Sequence, residues 1–238
     1  MVAILERLAS LVERGLAVPV LLLVRRSPSR AAIERDVERW VEVLEIPTSW
    51  RFSRQVGHLL RRYPEFRNLL QFRLSRDPNG TLLRALTFRL WRPVKTLILD
   101  IGELGPGLFI QHGFATIVSA QRLGEDCWIN QQVTIGHVYD RGSPIIGDRV
   151  TIAAGAVVVG PVVIGDDVTI GANTTVVKDV PSGSVVVGQP SRIVKRYSRA
   201  GGDIDLDDLS EPAGGGTGAD PTAADGHSAP STTAATGA

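Results

Sequence analysis

The stretch PIIGDRVTIAAGAVVVGPVVIGDDVTIGANTTVVKDV, residues 144–180, carries an aliphatic residue at every sixth position. A period of six fits neither the 3.6-residue repeat of an α-helix nor the two-residue alternation of a hairpin strand. It is the repeat of a parallel β-helix, in which six residues form one flat face and three faces form one coil. We therefore predict that one residue of each hexad points into the axis of the coil: Ile146, Ile152, Val158, Ile164, Ile170 and Val176.

The same interval continues upstream with two interruptions. The seven residues from Ile110 to Ile117 predict one extra residue beside His112, and the eleven from Ile135 to Ile146 predict a loop that leaves the coil. Because a regular prism has smooth faces, such irregularities are where side chains are aimed at a ligand. The predicted inward residues of this upstream part are Leu104, Ile110, Ile117, Leu123, Ile129 and Ile135.

The chain divides into three predicted regions: an α-helical N-terminal region over 1–92, a mainly β region that forms the parallel β-helix over 93–198, and a disordered, Gly- and Ala-rich tail over 199–238. In the first region, residues 31–44 place their apolar side chains on one helical face, with Ser29 as the predicted N-cap. The apolar run at residues 15–24 is shorter than the roughly 18–20 residues of a membrane-spanning helix, so we predict a buried strand or helix and no transmembrane segment.

Charge and cysteine content narrow the functional classes. The net charge of the 238 residues is +1, but residues 1–202 hold 26 basic and 18 acidic side chains, because the other seven acids lie in 203–225. A basic surplus suits nucleic acid, anionic lipid or a polyphosphate ligand. The single cysteine, Cys127, excludes an intrachain disulfide and a multi-cysteine metal site, so that no metal is predicted and a cytoplasmic location is the default.

Three segments together resemble the serine O-acetyltransferases and their close relatives in the hexapeptide acyltransferase superfamily. They are GPGLFIQHGFATIVSAQRLGEDCWINQQVTIG at 105–136, the proline-containing loop with the hexads after it, and VVKDVPSGSVVVGQPSRIVKR at 176–196. The resemblance implies a left-handed β-helix, a homotrimer with active sites between neighbouring prisms, and direct transfer of acetyl from acetyl-CoA to a hydroxyl of a small-molecule acceptor. Nucleic-acid binding is not predicted, since the phosphates of CoA account for the positive surplus.

His112 stands in the place of the family's catalytic histidine. An imidazole within hydrogen-bond reach of a hydroxyl takes its proton as the oxygen attacks a thioester. The acid that orients this histidine in the family would fall near Leu97, and the nearest candidate is Asp100, whose alternative is a plain solvated turn. A second histidine, His137, resembles the glycine-histidine site of the sugar-acetylating branch. It is either a loop residue, an acceptor contact or the base itself.

The predicted substrate contacts depart from the family pattern. Gln111 replaces an acid that helps to hold serine in the family, and Gly142 and Ser143 stand where the family has an Arg-His pair. Arg141 takes the place of that arginine only with a shift of one residue. L-Serine, acetylated to O-acetylserine for cysteine synthesis, is the first predicted acceptor. The alternatives are a sugar or polysaccharide hydroxyl, which the neutral groups favour, and a non-catalytic hexapeptide scaffold.

The resemblance also implies the residues that hold acetyl-CoA. Ala154 and Ala172 match positions where backbone groups contact the pantetheine arm, and Val177 adjoins the cofactor end of the coil. Lys178 and Arg192 match the end that faces the phosphates, with Lys195 and Arg196 nearby. Cys127 adjoins no basic residue in sequence, so a packing role is predicted for it and not an acetyl-thioester intermediate.

Overall fold

The computed structural model describes residues 15, 17–76, 81–138, 142–188 and 192–196. The predicted disordered tail, residues 199–238, lies outside these residues, and so does Arg141. Within them, the helices end at residue 90 and the strands begin at residue 97.

The N-terminal part is helical, as predicted. Residues 17–26 form helix α1, so the described part of the apolar run, residues 17–24, is helix and not strand. None of the helices in the described ranges is long and apolar enough to cross a membrane. The other helices are α2 (Arg30–Val43), α3 (Phe52–Arg62), α4 (Pro64–Ser75) and α5 (Thr81–Leu90).

The β part is a left-handed parallel β-helix of about five coils, as predicted. Most strands are only two or three residues long, because each hexad ends at a corner of the prism. The strands are β1 (Leu97–Leu104), β2 (Phe109–Ile110), β3 (Thr116–Leu123), β4 (Trp128–Ile129), β5 (Thr134–Gly136), β6 (Ile145–Ile146), β7 (Thr151–Ile152), β8 (Val157–Val159), β9 (Val163–Ile164), β10 (Thr169–Ile170), β11 (Thr175–Val176), β12 (Ser184–Val187) and β13 (Arg192–Arg196).

Parallel pairing between coils defines three faces. The first face stacks β1, β3, β5, β8 and β11, and the second stacks β1, β3, β6 and β9. The third face stacks β2, β4, β7, β10 and β12, which is paired with β13 in antiparallel orientation. β1 and β3 are eight residues long and each contributes to the first two faces.

The core is formed by aliphatic columns, one behind each face. The predicted inward residues from Ile146 to Val176 are all at most 1% exposed, which confirms their phase. On the third face, Ile129 pairs in register with Ile152, which in turn pairs with Ile170. Side chains stacked at the roughly 4.8 Å spacing of paired strands exclude water along the whole axis.

The prediction that Ile117 points into the axis is wrong. Val118 is 0% exposed and pairs with Ile135, whereas Ile117 is 42% exposed. The chain takes eight residues from Ile110 to Val118 and five from Val118 to Leu123. The turn beside His112 is therefore two residues longer than a regular one, and the next corner is one residue shorter. Between Ile110 and Leu123 the sequence shows only a net surplus of one residue over two hexads. The six-residue period therefore assigned the inward position to Ile117 and not to Val118.

Helix α2 attaches the N-terminal part to the prism. Its buried face holds Ile33, Val37, Trp40 and Val41, as predicted. The indole Nε1 of Trp40 donates to the carbonyl oxygen of Leu108 at 2.8 Å, and the indole ring packs against Phe109. The predicted position of the α2 N-cap is confirmed. Ser29 is the N-cap residue, but its side chain makes no capping hydrogen bond and its Oγ lies 3.5 Å from the carbonyl oxygen of Arg73.

A buried ion pair fixes this attachment. The carboxylate of Asp36 in α2 accepts hydrogen bonds from Nε and Nη2 of Arg73 in α4, at 2.9 and 3.1 Å, and from the backbone N–H of Gly107 at 2.7 Å. The same guanidinium donates to the carbonyl oxygens of Leu104 and Gly105 in the first coil. Burial raises the pKa of the Asp36 carboxyl, and the Arg73 charge acts in the opposite direction. Two helices and the first coil thus share one polar network.

The corner between the second and third faces is a ladder of side-chain hydrogen bonds. Asp148 Oδ1 accepts the N–H of Glu125 at 3.0 Å, and Asp166 Oδ1 accepts the N–H of Asp148 at 2.9 Å. Ser182 Oγ then accepts the N–H of Asp166 at 3.0 Å. This corner satisfies the backbone N–H groups that each turn leaves unpaired, so its side chains have a structural role.

Candidate functional site

His112 lies in an enlarged turn at the corner between the third and first faces. The backbone N–H of Gln111 donates to the carbonyl oxygen of Ile129 at 2.8 Å, and the N–H of Thr116 donates to the carbonyl oxygen of Thr96 at 3.0 Å. Both ends of the turn are therefore hydrogen-bonded to adjacent segments of the same chain. His112 has a φ of 52° and its side chain is exposed. The same conformation recurs at other corners of the prism, for example at Asp126, Gln132 and Asn173, so it belongs to the turns of this fold.

Gly113 explains why this turn contacts the helices so closely. A Cβ at this position would lie 2.9 Å from Ile110 Cγ2, 2.9 Å from Leu97 Cδ2 and 3.2 Å from Glu65 Cγ. A larger residue would have to displace the first coil or α4. The contact brings Glu65, a half-buried acid in the first turn of α4, to the residue next to His112. Sequence reasoning missed Glu65, because nothing in its local pattern distinguishes it from an acid that stabilises a helix N-terminus.

Two predicted cofactor residues stack along the corner of His112. The N–H of Gln132 donates to the carbonyl oxygen of Phe114, and the N–H of Gly155 donates to that of Gln131. In the next coil, the N–H of Asn173 donates to the carbonyl oxygen of Ala154 at 2.9 Å. Phe114, Gln131, Ala154 and Ala172 therefore occupy equivalent positions in successive coils. The column changes from large to small side chains with distance from His112.

His137 and two other predicted cofactor residues lie at a different corner. His137 is exposed and directly follows β5 on the first face, where the carbonyl oxygen of Gly136 accepts the N–H of Gly160 at 3.0 Å. Val177 and Lys178 follow β11 on the same face and are also exposed. Within one chain, the structure therefore does not bring them together with the turn of His112.

The loop that was predicted from the eleven-residue interval leaves the coil at the His137 corner. Residues 139–141 lie outside the described ranges, so the structure does not describe Arg141. Gly142 has a φ of 101°, and Ser143 follows it in a half-buried position. Pro144 returns the chain to the coil, where its carbonyl oxygen accepts the N–H of Gln121 at 2.9 Å.

Asp100 is placed too far along β1 to orient His112 of the same chain. Leu97 is the β1 residue in contact with the turn, and Asp100 is three residues further, about 10 Å at 3.3 Å per residue. Its carboxylate instead accepts the hydroxyl of Ser119 at 3.4 Å. In the sequence, Asp100 is the acid nearest to the position where the family has one. In the structure, Leu97 and not Asp100 is the β1 residue beside the turn.

The remaining predicted contacts are neutral or lie at the far end of the coil. The side-chain amide of Asn130 donates to Oε1 of Gln111 at 3.4 Å, so two amides occupy the position next to His112. Arg192 begins β13, whose backbone pairs with β12, and its side chain is outside the described part of the structure. His58 of α3 packs edge-on against Trp50. The described residues contain no cluster of three His, Cys, Asp or Glu side chains that would hold a metal ion.

Cys127 is a packing residue, as predicted. It is 0% exposed, and burial raises the pKa of its thiol from 9.0 to about 12. A thiol with this pKa is about one part in 10⁴ thiolate at pH 8, and the thiolate is the reactive form.

We therefore expect iodoacetamide at pH 8 to leave Cys127 of the folded protein unmodified, while the protein in denaturant reacts completely. Mass spectrometry of the intact chain measures both states. The acetyl transfer that the family resemblance implies is expected to stay within about twofold in Cys127→Ala, since direct transfer needs no thiolate there. Rapid labelling of the folded chain, or loss of transfer in a folded Cys127→Ala variant, would instead support an acetyl-thioester intermediate.

The stacked coils of six-residue faces are those of a hexapeptide-repeat protein. The family described as bacterial transferase hexapeptide (six repeats) matches residues 143–178. A serine acetyltransferase of Helicobacter pylori is 33% identical over 153 residues, which are 60% of this chain and 89% of the relative. The chain therefore belongs to the serine acetyltransferase family.

Two further comparisons agree with this family. A serine acetyltransferase of Staphylococcus xylosus is 44% identical over 115 residues, 46% of this chain and 53% of the relative, so the chain spans about half the length of that protein. The solved structure of soybean serine acetyltransferase complexed with serine has a TM-score of 0.53 and 27% identity, and the match covers 69% of each chain.

Proposed function

We propose that this chain is an acetyl-CoA-dependent O-acetyltransferase that acts in the cytoplasm, with L-serine as its first acceptor and O-acetylserine for cysteine synthesis as the product. The observation that carries the proposal is the exposed His112 in an enlarged turn of a β-helix from the serine acetyltransferase family. An exposed imidazole contributes little to packing. It is readily explained as a positioned base.

His112 supplies the proton chemistry in this proposal. Its imidazole accepts the proton of the acceptor hydroxyl while the hydroxyl oxygen forms a bond with the acetyl carbon. The bond from that carbon to sulfur then breaks, and the imidazolium returns the proton to the departing thiolate. The products are an ester and free CoA thiol, and no other reactant is needed. General base catalysis of this kind contributes about 10²–10⁴ in rate.

The predicted cofactor residues support a site between two copies of the chain. Ala154 and Ala172 share the corner of His112, where small side chains leave the backbone of successive coils open to an extended arm. Val177 and Lys178 are exposed at the corner of His137. A site that uses both groups requires the His112 corner of one prism to face the His137 corner of another. We propose the homotrimer, with Lys178 and Arg192 towards the CoA phosphates, as the assembly that meets this requirement.

A second candidate acceptor is a sugar hydroxyl. The Gln111 side chain, which replaces an acid of the family pattern, forms a hydrogen bond with the amide of Asn130. Neutral amides and the hydroxyl of Ser143 suit a neutral polyol better than the ammonium and carboxylate groups of an amino acid.

Release of free thiol from acetyl-CoA tests both candidates. We would supply L-serine, D-serine and a panel of hexoses and amino sugars to the full chain, with a reaction lacking acceptor as the background. Release that depends on L-serine, with O-acetylserine identified by mass spectrometry, is the expected result. Release with a sugar alone would replace serine by the second candidate. A chain that neither binds CoA nor releases thiol with any acceptor would support the non-catalytic scaffold.

A further inference from the structure

A cavity between the N-terminal helices lies apart from the corner of His112. Its volume is about 520 Å³, and its described lining comes from α1, α2 and α3, with no residue of the prism. Ligand pockets of proteins have volumes of roughly 300–1,000 Å³. We infer that this cavity is a second, non-catalytic binding site, and that its ligand is a small anion with an apolar chain.

Helix α1 supplies an apolar wall of the cavity. Val18, Leu21 and Leu22 are spaced at i, i+3 and i+4, so they form one strip along the helix. Val18 and Leu22 are 50% and 41% exposed, and Phe52 of α3 borders the same cavity. The strip is distinct from the face that α1 buries in the core, which consists of Ala17, Val20, Leu23 and Val24. An apolar chain that lies against this strip removes both its own surface and that of the strip from water.

Arg25 places a positive charge at the cavity that no acid offsets. Its side chain is exposed and forms no hydrogen bond or ion pair with another residue in the described ranges. Arg30 also lines the cavity, but its Nε donates to Oε1 of Glu34 at 2.7 Å. The charge of Arg30 is thus offset within the cavity, whereas the charge of Arg25 is available to a ligand.

The helices around the cavity favour an anion over a cation. The residues of α1 and α3 include no acid, and their arginines are Arg25, Arg26, Arg54, Arg61 and Arg62. A guanidinium donates two parallel hydrogen bonds to a carboxylate or a phosphate, so either group serves as the head of the ligand. The chemistry that fits is therefore an anionic head on an apolar chain, whether a free fatty-acid anion or an anionic lipid supplies it.

Calorimetric titration of the full chain with decanoate, below its micelle concentration, tests the site. We expect one decanoate per chain. Hexanoate is expected to bind at least about tenfold more weakly, because its shorter chain buries fewer methylenes. Decyltrimethylammonium, which has the same chain and the opposite charge, is expected not to bind. Val18→Trp fills the cavity from a half-exposed position, so it is expected to abolish decanoate binding in a chain that stays folded.

Arg25→Gln and Arg26→Gln form a matched pair. Each removes one positive charge from an exposed side chain, but only Arg25 belongs to the lining of the cavity. We expect the affinity for decanoate to fall at least about tenfold in Arg25→Gln and to stay within about twofold in Arg26→Gln. Equal losses in the two variants would overturn the inference, because decanoate would then respond to the general surface charge. Equal affinities for decanoate and decyltrimethylammonium would also overturn it.

Vesicle flotation distinguishes the two sources of the ligand. Binding to phosphatidylglycerol vesicles but not to phosphatidylcholine vesicles, together with decanoate binding and with the same loss in Arg25→Gln, would identify a membrane lipid as the source. Vesicle binding by a chain that does not bind decanoate would replace the cavity site by a membrane-docking surface. A changed sedimentation coefficient in Val18→Trp, again without decanoate binding, would replace it by a contact between copies. All of these measurements proceed without turnover, so their outcome is independent of the proposed acetyl transfer.

Discussion

Replacing His112 with alanine is expected to lower kcat for acetyl transfer by about 10²–10⁴, because in the proposed reaction the acceptor hydroxyl loses its base. KM for acetyl-CoA is expected to change little, since the predicted cofactor residues Ala154 and Ala172 lie in later coils of the same corner. The melting temperature is expected to stay within a few degrees, because the side chain is exposed. Thiol release at saturating acetyl-CoA measures the rate, and thermal unfolding measures the stability.

His137→Ala is the matched comparison, since both histidines are exposed at corners of the same prism. If His137 is only an acceptor contact, its removal raises KM for the acceptor and leaves most of kcat. A loss of kcat in His137→Ala as large as that in His112→Ala would instead support a base at the other corner. A fully active His112→Ala would reject the proposed chemistry outright.

Breaking the ion pair between Asp36 and Arg73 is expected to have the largest effect on stability. Their side chains are 2% and 6% exposed, and removing one partner of a buried pair costs about 3–5 kcal/mol. In Asp36→Asn, the guanidinium of Arg73 stays charged and buried but loses its negatively charged partner. The full destabilisation is therefore expected. The exposed pair of Arg30 and Glu34 within α2 is the control, because Glu34→Gln is expected to cost at most about 1 kcal/mol.

The free energy of unfolding of Arg73→Met is expected to depend on pH differently from that of the wild type. Without Arg73, burial is opposed only by the backbone hydrogen bonds of Gly107 and Leu108, so the pKa of Asp36, already raised, rises further above that of the unfolded chain. The folded state then binds the proton more strongly than the unfolded state, so stability is retained below the unfolded pKa and declines as the pH rises. Urea denaturation should therefore show this variant to be more stable at pH 5 than at pH 8, relative to wild type. The opposite slope would mean that Asp36 finds another positive partner.

The fold was predictable from the sequence because its signal is repeated. A hexad places one residue in the axis whatever lies elsewhere in the chain, so Ile146, Ile152 and the later inward residues were recognised from local spacing alone. The helical character of the N-terminal part and the buried face of α2 followed in the same way from the 3.6-residue period. The sequence also predicted the position of the enlarged turn at His112, but it did not predict the length of that turn.

Contacts between distant parts of the chain decided the rest. Val118 and not Ile117 enters the core, because the long turn before β3 is offset by a short corner within it. Asp36 is buried because Arg73 and Gly107, far apart in sequence, meet it at one point.

By itself, then, the sequence determined the β-helix, the family and the histidine at the corner, since each depends on a local pattern of residues. Only the tertiary structure decided which corner each predicted residue occupies, and that Glu65 of α4 reaches the turn of His112. The physical reason is that such contacts depend on how helices pack against the first coil. That packing is set by many side chains at once and leaves no periodic trace in the sequence.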